Sequence, residues 1–319
     1  MRGGIEMSIL ITGGTGSLGL YLAKAIIKQG LGNIVLFDYR PDHSRVTELP
    51  DSIPIVAGNV ADWPDVVNII RQYEIREIFH LAAILSTESM ENPYASFKIN
   101  LEGTINILEA ARILNVNKII FPSTVATFGP GLPEPVTEGA PQVPTNLYGI
   151  TKLSGELWGL YYHQQYGIDF RALRFPRIVN AGRAGFGAAL FPSSMIEDAV
   201  LKKDHEVGVP LNFRVPIIYI KDAVQALLLA YQAPRIQTRV YNINGILPTA
   251  GDIMEKIKTY IPEAPLRFAK DPQTPPLAIP LIYDDSKASQ ELGWEMKYNL
   301  DGMIVDFIEE LRKNEKTAA

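Results

Sequence analysis

The chain has 319 residues, 47% of them hydrophobic, with a formal net charge of -5, enough apolar material for a large α/β core and too little positive charge for a nucleic-acid or anionic-membrane partner. It has no cysteine, which excludes disulfides, thiolate metal sites and cysteine nucleophiles; its four histidines (His43, His80, His163, His205) show no ligand spacing, so no metal site is expected. No apolar run approaches the ~20 residues that span a bilayer, and "MRGGIEMS" lacks the apolar core of a signal peptide, so a cytoplasmic protein is expected, with Met7 an alternative start.

Strand-like and helix-like segments alternate from the beginning. "SILIT" (8–12) reads as a buried strand, and Ser17–Gln29 carries apolar residues at helical spacing: Leu18, Tyr21, Leu22, Ala25, Ile26. "NIVLFD" and "IPIVAG" are the next strands. Asp62 with Pro64 marks the start of a helix through Tyr73, and "EIFHLAA" is a fourth strand. A long helix over Pro93–Asn115 precedes the strand "KIIFPST". Continuous apolar strands separated by helices predict a Rossmann-type, doubly wound parallel sheet covered on both faces. After Val179 the pattern loosens into glycine-rich "NAGRAGFGAALFPSS" and proline-rich "AKDPQTPPLAIP". Residues 1–179 are therefore read as the main domain and 180–319 as mainly a smaller, irregular lobe. The segments "VPIIYIKDAVQALLLAY" and "RVYNIN", about 215–245, are expected to return to the main sheet.

The first strand meets the first helix in a cluster of glycines. Gly13, Gly16 and Gly19 fall three apart, a spacing that permits a tight turn, close approach of a pyrophosphate to the helix end, and packing of helix on strand. Alone this is a weak motif, and an ordinary glycine-rich loop is the plainer reading. Its place inside a βαβ pattern favours a dinucleotide site. Asp38 ends the second strand where an acidic residue meets the adenosine ribose, and its charge favours NAD over NADP. Arg40, two residues on, is the side chain that offsets that preference.

Chemistry is suggested by "LYGITKLSGE". Tyr148 and Lys152 lie four apart on a predicted helix, hence on one face. A phenol is a poor base at neutral pH, but an ammonium beside it and an oxidised nicotinamide both favour the phenolate. Ser123 and Thr124 lie at the end of the fifth strand, where open α/β sheets bind ligands. A Tyr and a Lys at this spacing are also common surface residues, and the pair by itself decides nothing.

Together with "TGGTGSLG", Asp38, "HLAA", "NLEGTINILEAA", "STVATFG", and "YGITK" with Glu156, these residues make the chain resemble the extended short-chain dehydrogenase/reductases over essentially its whole length. Within them it is most similar to the short-chain type of L-threonine 3-dehydrogenases, on "HLAAILSTESMENP", "FRVPIIYIKDA", "YNING" and "IYDDSKASQELGW". The resemblance implies Tyr148 as catalytic base, Lys152 as its helper and Thr124, with adjacent Ser123, as hydroxyl partner. It implies NAD held by Gly13, Gly16, Ser17, Leu18, Gly19, Asp38, Asn59, Val60, Leu81, Ala82, Ala83, Asn100 and Phe175, with Tyr148 and Lys152. Asn59 stands where many relatives carry aspartate, and Arg177 where glycine is usual.

The implied activity is NAD-dependent oxidation of a secondary alcohol on a small hydroxy or amino acid, L-threonine to 2-amino-3-oxobutyrate above others. Arg214 is the expected carboxylate clamp, with Ser86 and Thr87 as partners and Arg177 tuning the substrate. A sugar-nucleotide epimerase or dehydratase is the alternative, although only Arg183 and Arg214 stand where the second lobe would hold a diphosphate. A non-catalytic NAD-binding regulator is a third reading, opposed by the intact Tyr148–Lys152 pair. Helices 92–115 and 148–166 carry apolar groups on more than one side, so a homodimer through them is expected.

Overall fold

The computed structural model describes residues 8–181, 191–274 and 279–318. Met7, the glycine-rich loop with Arg183 and part of the proline-rich stretch lie outside the described residues. The strands are β1 (Ser8–Thr12), β2 (Asn33–Asp38), β3 (Ile55–Ala57), β4 (Ile75–His80), β5 (Lys118–Thr124), β6 (Asp169–Phe175), β7 (Arg177–Val179), β8 (His205–Val207), β9 (Ile217–Tyr219), β10 (Val240–Asn242) and β11 (Leu266–Phe268). The helices are α1 (Ser17–Gln29), α2 (Trp63–Gln72), α3 (Ser86–Glu91), α4 (Pro93–Ser96), α5 (Gly103–Leu114), α6 (Leu147–Tyr166), α7 (Phe191–Val200), α8 (Ile220–Gln232), α9 (Ala250–Tyr260), α10 (Ser286–Leu292) and α11 (Leu300–Ala318).

Seven strands form one parallel sheet in the order β10-β6-β5-β4-β1-β2-β3. Its helices lie on both faces, and the alternation within β1 shows how. Ile9 and Ile11 pack with Leu22 and Ile26 of α1 and Leu227 of α8. Leu10, between them, packs on the other side with Ile70 of α2 and Ile107 of α5. Both faces are dry, which is why the strands read as unbroken apolar runs. The order reverses between β1 and β4, leaving a crevice at their carboxyl ends. The fold is the expected Rossmann type.

Local signals explain where elements start. Asp62 caps α2 by accepting the N–H of Asp65, with Pro64 in the first turn. Asn146 caps α6 by accepting the N–H of Gly149 at 2.8 Å. The helix expected over 93–115 is α4 and α5 joined by a π-turn at Phe97–Glu102, and it ends at Asn115 in the left-handed region.

The second lobe departs from expectation in one respect. β10 joins the main sheet beside β6, and α8 packs against β5 and β6. β9, however, pairs with β7 in a separate two-stranded sheet. The chain leaves β6 at Pro176, which has no N–H to continue the ladder, and β7 follows it out. The lobes nonetheless share one core: Trp294 and Phe307 belong to the same cluster as Ile9 and Ile26. Tyr219 Oη and Lys221 Nζ both donate to Asp306 of α11 at 2.5 Å, and Tyr21 of α1 donates to Glu310. Among the described residues no helix is long and apolar enough to cross a membrane.

The approach of α6 to the end of β5 depends on Gly149. A Cβ there would fall 2.1 Å from the Ala126 carbonyl oxygen, which is backbone and cannot swing away. Gly149→Ala should cost roughly 1–3 kcal/mol in denaturant unfolding through overpacking. Gly139→Ala, whose Cβ meets nothing within 4 Å, should be close to neutral in the same measurement; equal effects would mean that the contact does not hold α6.

Candidate active site

At Thr12 the chain leaves β1 and turns through glycines into α1. Gly13 has φ +66°, and a Cβ on it would lie 2.9 Å from the Ala82 nitrogen. A Cβ on Gly19 would lie 2.5 Å from the Gly13 oxygen, so helix and turn are in direct contact. A Cβ on Gly16 would approach only the Gly13 oxygen, at 3.1 Å, and nothing else within 4 Å. Gly16 caps α1 without a side-chain bond, and the first turn holds no acidic residue. Ser17 and Leu18 thus head a positive helix end that an anion can reach.

Thr15, inside the turn, donates its N–H and hydroxyl to Asp38 Oδ2 at 3.1 and 2.9 Å. Both bonds fall on one oxygen, Oδ2. Arg40 is exposed, its guanidinium 5.3 Å over the neighbouring Tyr39 ring. An open anion seat followed by an anchored carboxylate fits a dinucleotide.

The far wall is the loop after β4. The Ala82 N–H donates to Thr12 Oγ1 at 3.2 Å, and the Thr12 hydroxyl to His80 Nδ1 at 2.8 Å. His80 Nε2–H donates to Thr104 Oγ1 at 3.0 Å, whose own hydroxyl donates to the Asn100 carbonyl at 2.7 Å. Because the Thr104 proton is committed to Asn100, the imidazole must donate at Nε2 and accept at Nδ1. Burial, with Lys152 nearby, pulls His80 down to about 3, so the ring is neutral. The Asn100 amide holds Ile84 at both its N–H (2.7 Å) and its carbonyl (2.9 Å). Leu81, Ala82 and Ala83 are fixed against the glycine turn from behind.

Other candidates lie deeper. Val60 and Phe175 are buried side chains of the two cores. Asn59 holds its own loop, its Oδ1 accepting from Ala61 at 2.9 Å.

The carboxyl end of β5 carries the remaining groups. Thr124 caps a short 3-10 turn (Val125–Thr127) by accepting the Ala126 N–H, and that turn touches α6 at Gly149, next to Tyr148. Lys152, one turn further, is buried; its Nζ donates to the Pro122 carbonyl at 2.8 Å and lies 5.9 Å from the Tyr148 ring centre. Desolvation pulls Lys152 down to about 7, with Glu156 acting in the opposite direction. Ser123 is differently employed. It is buried and donates to Glu156, whose carboxylate also takes the Arg174 fork, at 2.7 Å from Nη2, and Gln142 at 3.2 Å. Thr124 is therefore the hydroxyl left at the strand end.

Ser86 and Thr87 open α3, which packs against α6, Ser86 half-buried and Thr87 exposed. The β7–β9 pairing sets Arg177 opposite Ile217, with the Arg177 N–H donating to Pro216 at 3.3 Å. Arg214, three residues before Ile217, is exposed and bridges to Thr249. The two arginine segments are brought side by side, on the far side of the β6 end from the glycine turn. Thr12, Thr15 and Arg174 had no place in the sequence reading. Thr15 lay in plain view inside the glycine motif, whereas nothing in the spacing of Arg174 points to Glu156.

The chain matches the NAD dependent epimerase/dehydratase family over residues 9–244. It is 30% identical over 312 residues to the mitochondrial L-threonine 3-dehydrogenase of Bos taurus, covering 95% of this chain and 82% of that one. Among solved structures, an L-threonine dehydrogenase from Cupriavidus necator superposes with a TM-score of 0.86 at 27% identity, covering 95% and 99% of the two chains. A UDP-glucose 4-epimerase from Thermotoga maritima superposes at 0.87 with 25% identity, covering 97% and 100%. Fold, glycine turn and these likenesses converge: the chain belongs to the NAD-dependent epimerase/dehydratase family and is an NAD-dependent oxidoreductase acting on CH–OH groups.

Proposed function

We propose that this enzyme is a dehydrogenase for the secondary alcohol of a small hydroxy or amino acid, with L-threonine as substrate and 2-amino-3-oxobutyrate as product. The observation that carries the reading is the convergence of Thr124, Tyr148 and Lys152 at the end of β5. The likeness to L-threonine dehydrogenases across both lobes supports threonine as the substrate. NAD, when bound, supplies the hydride acceptor. In this reading Gly13, Gly16, Ser17, Leu18, Gly19 and Asp38 hold it from one side and Leu81–Ala83 from the other. Asn100 acts on that loop from beneath.

Tyr148, as phenolate, takes the hydroxyl proton of the alcohol while the hydride leaves its carbon. Burial holds Lys152 down at about 7; in its ammonium form, 5.9 Å from the Tyr148 ring centre, it favours the phenolate. Thr124 donates a hydrogen bond to the reacting oxygen. Arg214 grips the carboxylate, Ser86 and Thr87 hold the rest of the small substrate, and Arg177 beside them adjusts which acid is accepted.

Incubation with L-threonine and NAD should release NADH in proportion to product. Isomerisation of UDP-glucose with retained cofactor would establish the epimerase instead, the reading that the Thermotoga structure favours. Tyr148→Phe removes one oxygen and should lower kcat by about 10² or more with NAD binding intact. Retention of most activity would remove Tyr148 from the mechanism. Arg214→Leu should reduce kcat/KM for threonine by about 2–4 kcal/mol of transition-state binding. If Arg177→Leu does so and Arg214→Leu does not, the clamp is Arg177.

We also propose a homodimer through helices 92–115 and 148–166. Tyr94, Leu157, Trp158 and Tyr161 are 72%, 58%, 40% and 49% exposed in the single chain, and together they make an apolar surface of the kind that a second copy covers. Light scattering should give twice the chain mass, and Trp158→Asp should return it to one. A wild-type monomer at micromolar concentration rules the dimer out.

A further inference from the structure

We propose that Arg45 is a cofactor-holding residue: hinged on Ser17, its guanidinium closes over the first turn of α1 and takes a pyrophosphate oxygen of NAD. The inference rests on the dinucleotide seat at the glycine turn. The sequence draws attention to Arg40, but Arg40 stacks on Tyr39 and is exposed. Arg45 instead reaches back 28 residues to donate from Nη2 to Ser17 Oγ at 2.9 Å.

The loop that carries it is pinned at both ends. The Asp42 N–H donates to Thr15 Oγ1 at 3.3 Å, and Asp42 caps the 3-10 turn His43–Arg45 through Ser44 at 3.1 Å. Beyond the turn, Val46 and Leu49 are buried in the core that also holds α1. Arg45 is half-buried between these anchors, so its position follows from the backbone.

Two positive features meet at this spot. Ser17 is the first residue of α1, whose first turn has neither an acidic residue nor a side-chain cap. A cation at the positive end of a helix is unfavourable. Exposed Asp42 is held below the usual carboxylate range chiefly by its hydrogen bond from the Ser44 hydroxyl, with Arg45 a smaller contributor, so its carboxylate is engaged within its own turn. A phosphate at the first turn is within the joint grasp of the helix N–H groups and a guanidinium fork anchored on Ser17. Asp38 keeps negative charge on the ribose side and Arg45 places positive charge on the phosphate side. Adjacent parts of one nucleotide are thereby recognised with opposite signs.

The test is calorimetric titration with ADP and with adenosine, which carries no phosphate. Arg45→Gln should weaken ADP by about tenfold or more, as loss of a charge-assisted contact does, and leave adenosine unchanged. Ser17→Ala keeps the backbone N–H and removes only the hinge, and should weaken ADP by less. Arg45→Gln binding ADP as the wild type does would overturn the proposal. Equal losses for ADP and adenosine would also overturn it, since Arg45 would then act by shaping the loop. Failure of the unaltered protein to bind ADP would place the error earlier, in the dinucleotide seat itself.

Discussion

In a parallel sheet each strand is reached by a crossover along the outside, so every carboxyl end faces the same way. Thr12, Asp38, His80, Thr124 and Phe175 all end strands of this sheet, and that shared edge is where the chemistry collects. The reversal between β1 and β4 then leaves two adjacent strand ends without a crossover between them. The glycine turn fills one side of the gap and the Leu81–Ile84 loop the other. Neither wall needs to be built for the ligand from scratch.

What stands behind the walls is polar and almost fully committed. His80 is neutral, single in its tautomer and bonded at both nitrogens. Asn100 holds Ile84 at both backbone groups and reaches Ser96 and Thr151 with the same amide. Glu156 sits among Ser123, Gln142 and Arg174, and a buried ion pair of this sort stabilises little over an apolar replacement while costing much when broken. Its value here lies in geometry. It ties α6 to the ends of β5 and β6, so that Tyr148 and Thr124 cannot drift apart.

Much of this was legible in the sequence because short-range rules govern it. The Ser17–Gln29 helix, the Asp62 cap and the strand "KIIFPST" follow from periodicity and capping, which neighbours in sequence decide. The glycine turn and Asp38 are legible because a single backbone requirement selects each residue. The pairing of β9 was not, since strand partnership is settled by where Pro176 releases the chain. Nor was the employment of Ser123: its partner lies 33 residues away on another element, and nothing local marks Glu156 as its acceptor. Arg45 failed to stand out for a related reason. Arg40 is nearer to Asp38 along the chain, but distance along the chain does not measure distance across a folded loop.

The single core that runs beneath both lobes bears on how such proteins diversify. Trp294 and Phe307 share a cluster with Ile9 and Ile26, and α11 is latched to α1 and α8 by hydroxyl and ammonium groups on carboxylates. The second lobe is therefore no cassette. A lineage that wants a new substrate cannot exchange it whole without exposing the inner face of the first. Change must come through loops and single side chains at the strand edge, with the scaffold inherited intact.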